Sequence, residues 1–526
     1  MGEAGIPLLL VLVPLLGAIV VTLSPRESWL ARASAMATML VVLALSLRIF
    51  LAYEPAADAA RFDFNLPWMP ALGINLHFAV DGFNVYLVLL SALLFPAVLG
   101  CTWDSPHTPR RLYLALLLVL ESGLLGTFLS QNAVLFFAFW EAVLIPAGVL
   151  ILVYGGERRR RAAITFFLYT MAGSVLLLAA VIALGAEALG QTGKWSFELD
   201  VLYGLSLDWN MQLFVFIAIM LACLVKVPLV PFHAWLPLAY YEAPASVTAL
   251  MAGALSKMGA YGILKLALPL APDVAAAAAT TMTVLAVTSL LYGAVLALRE
   301  QDYKKLIAYS SLSHMGYVVL GLFTLRETAI HGALLQMLSH GVAVAGLFAL
   351  LGMLEQRLGS SYRHATALSN AAPRFAIGSM LFVLTTVALP LTSGFTAEFL
   401  ILFGAFARGF AAWQAHAGAL LLVAALLAMT GMVLGATYML RFARTILFGP
   451  GPGTSGGKYG IADLRPGEVA SLLPLLLAIL VIGIAPATVM SKAQSVAAQL
   501  VSPLARAAHA LPAPPAVASI GSAHGK

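Results

Sequence analysis

Charge and cysteine are both scarce in this chain. Asp, Glu, Lys and Arg make up 10% of its 526 residues, whereas soluble globular domains carry about 25%. Hydrophobic residues reach 61%, and a soluble protein of that composition could not cover its surface with polar groups. Lipid must therefore be the solvent for most of the chain, which predicts an all-α polytopic membrane protein.

The shortage of cysteine argues against redox centres of the chain's own. Cys101 and Cys223 are its two cysteines, whereas an iron–sulfur cluster is usually held by about four. There is no Walker A sequence and no G-x-G-x-x-G motif that follows a strand. The basic residues lie in short clusters without interleaved aromatic residues, which argues against nucleic-acid binding. No cofactor is expected in this chain.

Apolar stretches long enough to cross a bilayer recur fourteen times along the sequence. The seventh and the twelfth are too long or too interrupted to be single straight helices. The predicted spans are 5–23, 30–50, 79–101, 112–130, 133–154, 162–186, 211–240, 243–268, 274–298, 303–323, 328–354, 374–410, 414–447 and 467–489. Residues 490–526 are rich in alanine, proline and serine, and predict a short amphipathic segment followed by disorder.

The basic residues predict how the bundle is oriented. Loops that follow odd-numbered spans hold eighteen Lys and Arg residues, whereas the loops after even-numbered spans hold four, namely Arg61, Lys194, Arg326 and Arg408. Because Lys and Arg concentrate in cytoplasmic loops, the odd loops are predicted to face the cytoplasm. Both termini would then lie on the periplasmic side of a bacterial inner membrane.

Several ionisable residues occur where charge is costly. A charge at the bilayer centre costs at least ~2.5–3.5 kcal/mol on insertion scales, so those that remain are usually paired or functional. Five of them lie well inside predicted spans, namely Glu121, Glu141, Lys226, Lys257 and Glu398. Glu121 has no evident partner, and little beyond a local hydrogen bond is expected of it. Lys265 lies near the end of span 8, where snorkelling is the better explanation.

Glu141 and Lys226 carry opposite charges and would stabilise each other if their helices meet. A change in their separation would shift both protonation states, so the pair is a candidate proton switch. The alternative is a static ion pair that holds two helices together. Lys226 lies just before three prolines within ten residues, Pro228, Pro231 and Pro237, which must interrupt the helix.

Transporters place ion sites at such interrupted helices. Span 12 repeats the arrangement, because Pro390 to Phe395 is followed by Glu398. Lys226 and Glu398 are 172 positions apart, and Glu141 and His314 are 173. Each interval is five spans long, so spans 4–8 (about 112–268) and spans 9–13 (about 274–447) are predicted to be inverted repeats within a transmembrane domain of residues 1–489.

Lys257 is predicted to be the central proton carrier, because small residues surround it and the sequence offers it no carboxylate partner. A snorkelling lysine is the alternative. His314 and His340 each follow a serine and would supply proton steps near neutral pH, unless they are satisfied core histidines. His331 and His340 are nine positions apart and point to opposite helix faces, so no metal site is predicted.

Five stretches of the chain carry a family resemblance. They are 137–141 (FAFWE), 226–237, 257–262, 306–317 and 393–399 (SGFTAEF). On these residues the chain resembles the antiporter-like subunits of respiratory complex I, the NADH:quinone oxidoreductase, and most closely the subunit M family. Glu398 favours subunit M, because the related subunits L and N usually carry lysine there.

The resemblance implies a proton-translocating membrane subunit driven by quinone reduction elsewhere in the complex. It implies Glu141 and Lys226 as a modulating pair, Lys257 as the central carrier, His314 as a connector, His340 as a link and Glu398 as the exit-side carrier. Flavin, iron–sulfur clusters and quinone would belong to partner subunits. L-like and N-like membrane subunits would be its neighbours in the lipid bilayer.

Two departures from the family pattern leave alternatives open. Leu238, Ala239 and Tyr240 follow Pro237, where the family usually has an acidic residue and a histidine. Leu391 stands where the family usually has glycine. A Mrp-type cation/proton antiporter and a membrane-bound hydrogenase subunit therefore remain alternatives. A non-pumping structural subunit is a separate alternative, of a different class.

Overall fold

A computed structural model describes residues 3–25, 29–55, 61–107, 110–359, 362, 365–449 and 461–510. The helices up to residue 270 are α1 (Ile6–Leu23), α2 (Trp29–Ala52), α3 (Asn84–Cys101), α4 (Arg111–Leu129), α5 (Ala133–Ala142), α6 (Leu144–Tyr154), α7 (Arg159–Thr192), α8 (Leu199–Tyr203), α9 (Trp209–Lys226), α10 (Trp235–Glu242), α11 (Ala245–Leu250), α12 (Ser256–Gly262) and α13 (Leu268–Leu270). The later helices are α14 (Pro272–Arg299), α15 (Tyr303–Phe323), α16 (Glu327–Leu358), α17 (Leu368–Ala371), α18 (Pro373–Thr386), α19 (Ser393–Gln414), α20 (Leu420–Phe448), α21 (Pro466–Ile484), α22 (Pro486–Met490) and α23 (Gln494–Ala510).

Within these described ranges, fourteen helical segments are long and apolar enough to cross a membrane, which confirms the predicted number of spans and the all-α class. The central spans are the most enclosed. The segments Ala245–Leu270 and Glu327–Leu358 are buried throughout their apolar windows, whereas the window of Pro466–Ile484 is 17% buried. Lys257 and His340 are therefore carried by helices that other helices surround, whereas the window of Ser393–Gln414, which carries Glu398, is 39% buried.

Spans 7 and 12 each consist of two helices with a non-helical stretch between them. The stretch 227–234 separates α9 from α10, and 387–392 separates α18 from α19. Both stretches have the same backbone hydrogen bonds, displaced by 160 positions. The equivalent bonds are Leu229 N to Leu224 O and Phe232 N to Leu229 O in one, and Leu389 N to Leu384 O and Thr392 N to Leu389 O in the other.

The offset of 160 positions shows that Lys226 and Glu398, which the predicted repeat treated as equivalent, do not occupy equivalent positions. At an offset of 160 positions, Lys226 corresponds to Thr386 and Glu398 corresponds to Leu238. Lys226 is the last residue of the helix before its interruption, whereas Glu398 lies in the second turn after the other interruption. The spacing of 172 positions therefore does not relate equivalent sites at the breaks. The inverted repeat of spans 4–8 and 9–13 stays a prediction.

Two further irregularities lie next to predicted site residues. The helix of span 5 is interrupted at Val143, two residues after Glu141. Pro146 explains the interruption, because its ring has no N–H to donate to the carbonyl of Ala142. Span 8 continues through two π-helical turns, Met251–Leu255 and Ile263–Ala267, which flank the α-helical turns that carry Lys257. Such π turns occur frequently at functional sites.

A β-hairpin lies outside the spans. Strands β1 (Asp63–Met69) and β2 (Ile74–Ala79) pair antiparallel, with the 3₁₀ turn Pro70–Leu72 between them. Span 3 was predicted to begin at residue 79, but Ala79 ends β2 and the helix begins at Asn84. The apolar residues that end β2 lie only a few positions before the apolar run of α3, and the Asp81–Gly82 turn between them was the signal that marked the boundary.

His77 of β2 connects the hairpin to Glu198 and, through it, to Asn132 at the start of α5. Its Nε2 atom lies 2.9 Å from Asp63 Oδ1, and its Nδ1 atom bonds the carboxylate of Glu198. The other oxygen of Glu198 accepts a hydrogen bond from Asn132 Nδ2 at 2.8 Å, and Asn132 also caps the N-terminus of α5. Burial lowers the pKa of His77, but the hydrogen bonds and charges of Asp63 and Glu198 outweigh it and raise the pKa to about 9.

The C-terminal tail begins with a packed helix. Residues from 490 onward were expected to be a short amphipathic segment followed by disorder. Gln494–Ala510 forms the amphipathic helix α23, which packs on α14 and α16, so any disorder can begin only after it. Leu500 and Leu504 are buried on the packed face of α23, and tertiary burial stabilises an amphipathic helix that its composition alone would not. Residues 511–526 lie outside the described ranges.

We predict that His77→Gln destabilises the protein near neutral pH, because it removes a buried charge-assisted pair worth about 2 kcal/mol. The pKa of folded His77 lies above its unfolded value of about 6.5. Its contribution to stability is therefore complete below that value and is lost as the pH rises through about 9. Thermal unfolding of the purified protein at pH 7 and pH 10 measures this, with a thiol-reactive dye that reports the buried Cys101 and Cys223.

The matched control is His416→Gln, which replaces an exposed histidine in the loop after α19. An unfolding temperature of His77→Gln equal to that of the control at pH 7 would contradict the assigned role of His77.

Candidate functional site

Lys257 lies at the centre of the buried site and is fully enclosed by protein. Its Nζ atom donates to the carbonyl of Ala252 at 2.6 Å, and it lies 3.4 Å from Ser256 Oγ and 2.7 Å from His340 Nδ1. The carbonyl of Ala252 lies in the first π turn, five positions before Lys257, where the wider turn makes it available to the side chain. The structure therefore brings two of the predicted site residues, Lys257 and His340, into direct contact.

His314 and Glu398 continue this group on two other helices. Nδ1 of His314 lies 3.0 Å from Glu398 Oε1, and the imidazole rings of His314 and His340 are 5.5 Å apart between centroids. Gln336 Nε2 lies 3.1 Å from His314 Nδ1 and 3.2 Å from Glu398 Oε1. We call Lys257, His340, His314 and Glu398 the buried relay. Four residues predicted separately from the sequence are thus neighbours in space.

A small cavity of about 10 Å³ adjoins the relay and is lined by His314, Gln336, His340 and Glu398. A site of this size and polarity is just large enough for one water molecule. The Nε2 atoms of both histidines and Oε1 of Gln336 are buried without a protein hydrogen-bond partner. Polar atoms in that state are usually satisfied by water in the interior of a protein, so this part of the relay suits a bridging water.

Sequence reasoning missed Gln336. The residue lies four positions before His340 and therefore on the same face of α16, which is the signal that would have found it. It also missed the hydrogen bond of 2.8 Å between Ser339 Oγ and Ser393 Oγ, which ties α16 to the first residue of α19. The start of α19, and with it Glu398, is held in place through this contact.

Lys226 and Glu141 lie close together but form no direct ion pair. Lys226 Nζ lies 3.5 Å from the carbonyl oxygen of Trp140 and 5.0 Å from the centre of its ring. Trp140 is the residue before Glu141, whose buried Oε1 atom has no hydrogen-bond partner in the structure. Lys226 therefore contacts Trp140, the neighbour of Glu141 in sequence, through a cation–π contact and a backbone carbonyl, and this places the two predicted partners near each other.

Two glycines of α12 bring the pair Glu141 and Lys226 near the buried relay. A Cβ atom at Gly259 would lie 2.7 Å from the carbonyl oxygen of Cys223, and one at Gly262 would lie 2.8 Å from Cys223 Sγ and 3.4 Å from the ring of Trp140. The end of α9, which carries Lys226, therefore packs directly on α12, which carries Lys257. Only glycine permits this approach without displacement of the backbone.

Two expectations about other buried charges were wrong. Lys265 does not snorkel, because its Nζ atom lies 2.8 Å from both Asp81 Oδ2 and Gln131 Oε1. The partner of Lys265 lies 184 positions away, so sequence proximity could not reveal it. Glu121 is fully buried and neither of its carboxylate oxygens has a hydrogen-bond partner, which differs from the local hydrogen bond expected of it.

The two departures from the family pattern have local structural consequences. Tyr240 lies in the stretch after Pro237 that departs from the family pattern; it is buried, and its ring packs against Trp235 and Phe348. Leu391 has a φ angle of 74°, in the left-handed region that favours glycine. Its carbonyl packs against Gly483 of α21, where an added Cβ would approach it to 2.3 Å.

Fourteen spans, two interrupted helices and ionisable residues in contact within the core are the architecture of an ion-translocating membrane protein. A family model described as NADH:quinone oxidoreductase/Mrp antiporter, transmembrane, matches residues 130–413. Subunit M of NADH-quinone oxidoreductase from Rickettsia typhi is 35% identical over 465 residues, which cover 87% of this chain and 89% of the relative. Chain 4 of a NAD(P)H-quinone oxidoreductase from Synechococcus is 37% identical, over 91% and 89%.

Solved structures agree with these relatives. A chain of respiratory complex I from Thermus thermophilus with bound NADH has a TM-score of 0.83 at 31% identity, over 95% of this chain and 99% of that one. A chain of the Mrp complex from Dietzia has a TM-score of 0.79 at 20% identity, over 96% and 99%, which shows a common fold. The chain belongs to the NADH-quinone oxidoreductase subunit M family.

We predict that Gly259→Ala destabilises the contact between α9 and α12. The added methyl group would meet backbone atoms of Cys223 and Val227 at less than 3 Å, and such overpacking costs typically about 1–3 kcal/mol. Thermal unfolding of the purified protein should show a lower unfolding temperature than wild type.

Gly148→Ala is the control, because its Cβ would meet nothing within 4 Å and lies in a helix. Alanine is the better helix former, so this substitution should be neutral or slightly stabilising. Equal unfolding temperatures for the two variants would show that α9 and α12 are not closely packed at Gly259.

Proposed function

We propose that this chain is the proton-translocating membrane subunit of a NADH:quinone oxidoreductase, with no redox centre of its own. The observation that carries the proposal is the contact sequence from Lys257 through His340 and His314 to Glu398 in a membrane-enclosed core. The names of its relatives support the same conclusion, because they are subunits of NADH-quinone oxidoreductases.

The relay can move a proton between neighbouring groups without large displacements. Lys257 donates from Nζ to Nδ1 of His340, which must be unprotonated to accept. Transfer along this hydrogen bond leaves a neutral amine and an imidazolium. A proton then passes from His340 to His314 across the small polar cavity, and His314 faces the carboxylate of Glu398 through Nδ1. Each step places charge beside a group that can take the next proton.

Glu141 and Lys226 act on the relay as a modulating pair. Their charges lie in a low-dielectric region, where electrostatic interactions extend further than in water. Lys226 is held beside Trp140 rather than by the carboxylate of Glu141, so a small shift of α5 or α9 would change the field at Lys257. Conformational energy from neighbouring subunits would reach the relay in this way.

The proposed orientation follows from the basic loops. The ends of α3, α6, α10 and α16 converge on one side of the bundle, around a cavity of about 630 Å³ lined by Asp104, His107, Arg158, Glu242 and Lys304. We assign this side to the cytoplasm by the distribution of Lys and Arg, and the termini to the periplasm of a bacterial inner membrane. L-like and N-like membrane subunits would flank the chain, and flavin, iron–sulfur clusters and quinone would be in partner subunits.

Replacement of Lys257 tests the proposal. We expect Lys257→Met, in the intact complex, to lower NADH-driven proton uptake into inverted membrane vesicles by at least about twofold, because the variant removes a proton-carrying group. Quinone reduction should fall with it, since the two processes are coupled. Lys194→Met, at an exposed loop position, serves as the control and should behave like wild type.

The same vesicles separate the alternatives. Unchanged proton uptake in a fully assembled Lys257→Met complex would indicate a non-pumping structural subunit. Uptake that requires sodium, in the absence of NADH oxidation, would indicate a cation/proton antiporter. The likeness to the Mrp chain lies at 20% identity and concerns the fold alone.

A further inference from the structure

A second group of polar residues approaches His314 from the Lys/Arg-rich side of the bundle. An open cleft of about 720 Å³ lies there between the start of α15 and the end of α20. Its inner wall includes Leu306 of α15 and Phe442 of α20, and its rim includes Asp302, which caps the N-terminus of α15. This cleft is separate from the cavity that contains His107 and Glu242, and none of the described residues lines both.

A buried pair of hydroxyl groups lies one helical turn further in. Ser310 Oγ and Tyr438 OH are hydrogen-bonded at 3.0 Å, and both residues are almost fully buried. Ser310 is four positions after Leu306 on α15, and Tyr438 is four positions before Phe442 on α20. Residues four apart occupy the same helix face, so the hydroxyl pair lies above the inner wall of the cleft.

His314 follows after one more turn of α15, four positions beyond Ser310 and on the same face. Leu306, Ser310 and His314 therefore mark three successive turns, about 6 Å apart along the helix axis. While Nδ1 of His314 faces Glu398 and Gln336, its buried Nε2 atom has no protein partner. Nδ1 of this histidine therefore faces the acceptor Glu398, and Nε2 is the nitrogen at which a proton from His340 or from another donor must arrive.

Hydroxyl groups suit proton conduction between these points. A serine or tyrosine hydroxyl can accept one hydrogen bond while it donates another. When it receives a proton on one side and releases its own on the other, no bond to carbon changes and the group ends neutral. The pair Ser310–Tyr438 therefore needs no charged state of its own to pass a proton from the cleft towards Nε2 of His314.

We propose that Ser310 and Tyr438 form a second proton branch, which connects the cleft between α15 and α20 to His314 independently of Lys257. The inference rests on the proposed function, because it assigns a further source of protons to the same relay. His314 is then a junction, reached from Lys257 through His340 and from the Lys/Arg-rich surface through the two hydroxyls. Glu398 lies beyond this junction for both routes.

Removal of one oxygen atom tests the branch. We expect Tyr438→Phe in the intact complex to lower NADH-driven proton uptake into inverted vesicles by about twofold at normal complex content, since one of two routes to His314 is lost. The matched control is Tyr317→Phe. Tyr317 is buried between the same two helices, but its hydroxyl donates to the carbonyl of Ala428 at 3.0 Å and so ends at the backbone.

Substitution of Ser310 by threonine or valine provides a second test, because these two side chains have nearly the same shape. Threonine and valine at this position differ by a hydroxyl group in place of a methyl group. We expect Ser310→Thr to retain uptake and Ser310→Val to match Tyr438→Phe, with no further loss in the double variant. These two variants decide the question if Tyr438→Phe prevents assembly, as judged by the amount of complex on native gels.

Two results would overturn the branch. One is a loss in Tyr438→Phe no greater than that in Tyr317→Phe, and the other is equal uptake by Ser310→Thr and Ser310→Val. Lys257→Met, measured in parallel, separates this outcome from failure of the proposed function. If Lys257→Met lowers uptake while the hydroxyl variants leave it unchanged, only the branch is wrong; if none of them changes uptake, the proposed relay is wrong.

Discussion

An ammonium group enclosed by membrane helices must find lone pairs within the protein, because water does not surround it. Lys257 finds them in the carbonyl of Ala252, the hydroxyl of Ser256 and Nδ1 of His340. The rest of the site depends on this arrangement. The π turn before Lys257 makes the backbone carbonyl available, and His340 is fixed by the long helix α16, which also carries Gln336. Through Gln336 the same helix positions His314 and Glu398.

The two interrupted helices place Lys226, Glu398 and non-helical backbone next to the site around Lys257. Lys226 ends α9 where the chain leaves the helix, and Glu398 follows soon after α19 begins. Close packing at Gly259 holds the first of these ends against α12, and the contact between Ser339 and Ser393 holds the second against α16. Both helix ends are thus attached to the helices that carry the relay, so a movement of either end would be transmitted to it directly.

Hydropathy, proline positions and rare buried charges were enough to predict the fourteen spans and the residues that meet in the relay. These predictions succeeded because a charge in a membrane or a proline in a helix costs free energy, so each is usually found only where it has a structural or functional role. Uncharged participants give no such signal. Gln336, Ser393 and Tyr438 are unexceptional in sequence, and their roles depend on contacts between helices. Lys265 was misjudged because its partner Asp81 is remote along the chain.

Backbone geometry was the second feature of the structure that could not be predicted from the sequence. The small and apolar residues of the π turns around Lys257 do not distinguish them from α-helix. The shared hydrogen-bond pattern of the two interruptions gave a register of 160 positions rather than the spacing of the charges. The hairpin was missed because its last residues lie close before the apolar run of α3, and the Asp81–Gly82 turn between them was not used as a boundary. Helix α23 owes its order to packing on α14 and α16, which composition does not reveal.

The π turn at Met251–Leu255 has a geometric consequence for the direction of Lys257. A π turn contains about one residue more than an α turn, and each residue of an α-helix advances by about 100° around the axis. Conversion of this turn to α-helix would therefore rotate α12 by roughly that angle, move the Lys257 side chain away from His340 and withdraw the carbonyl of Ala252 from it. The choice between two backbone hydrogen-bond patterns, five residues or four residues back, would then decide whether the two halves of the relay are joined.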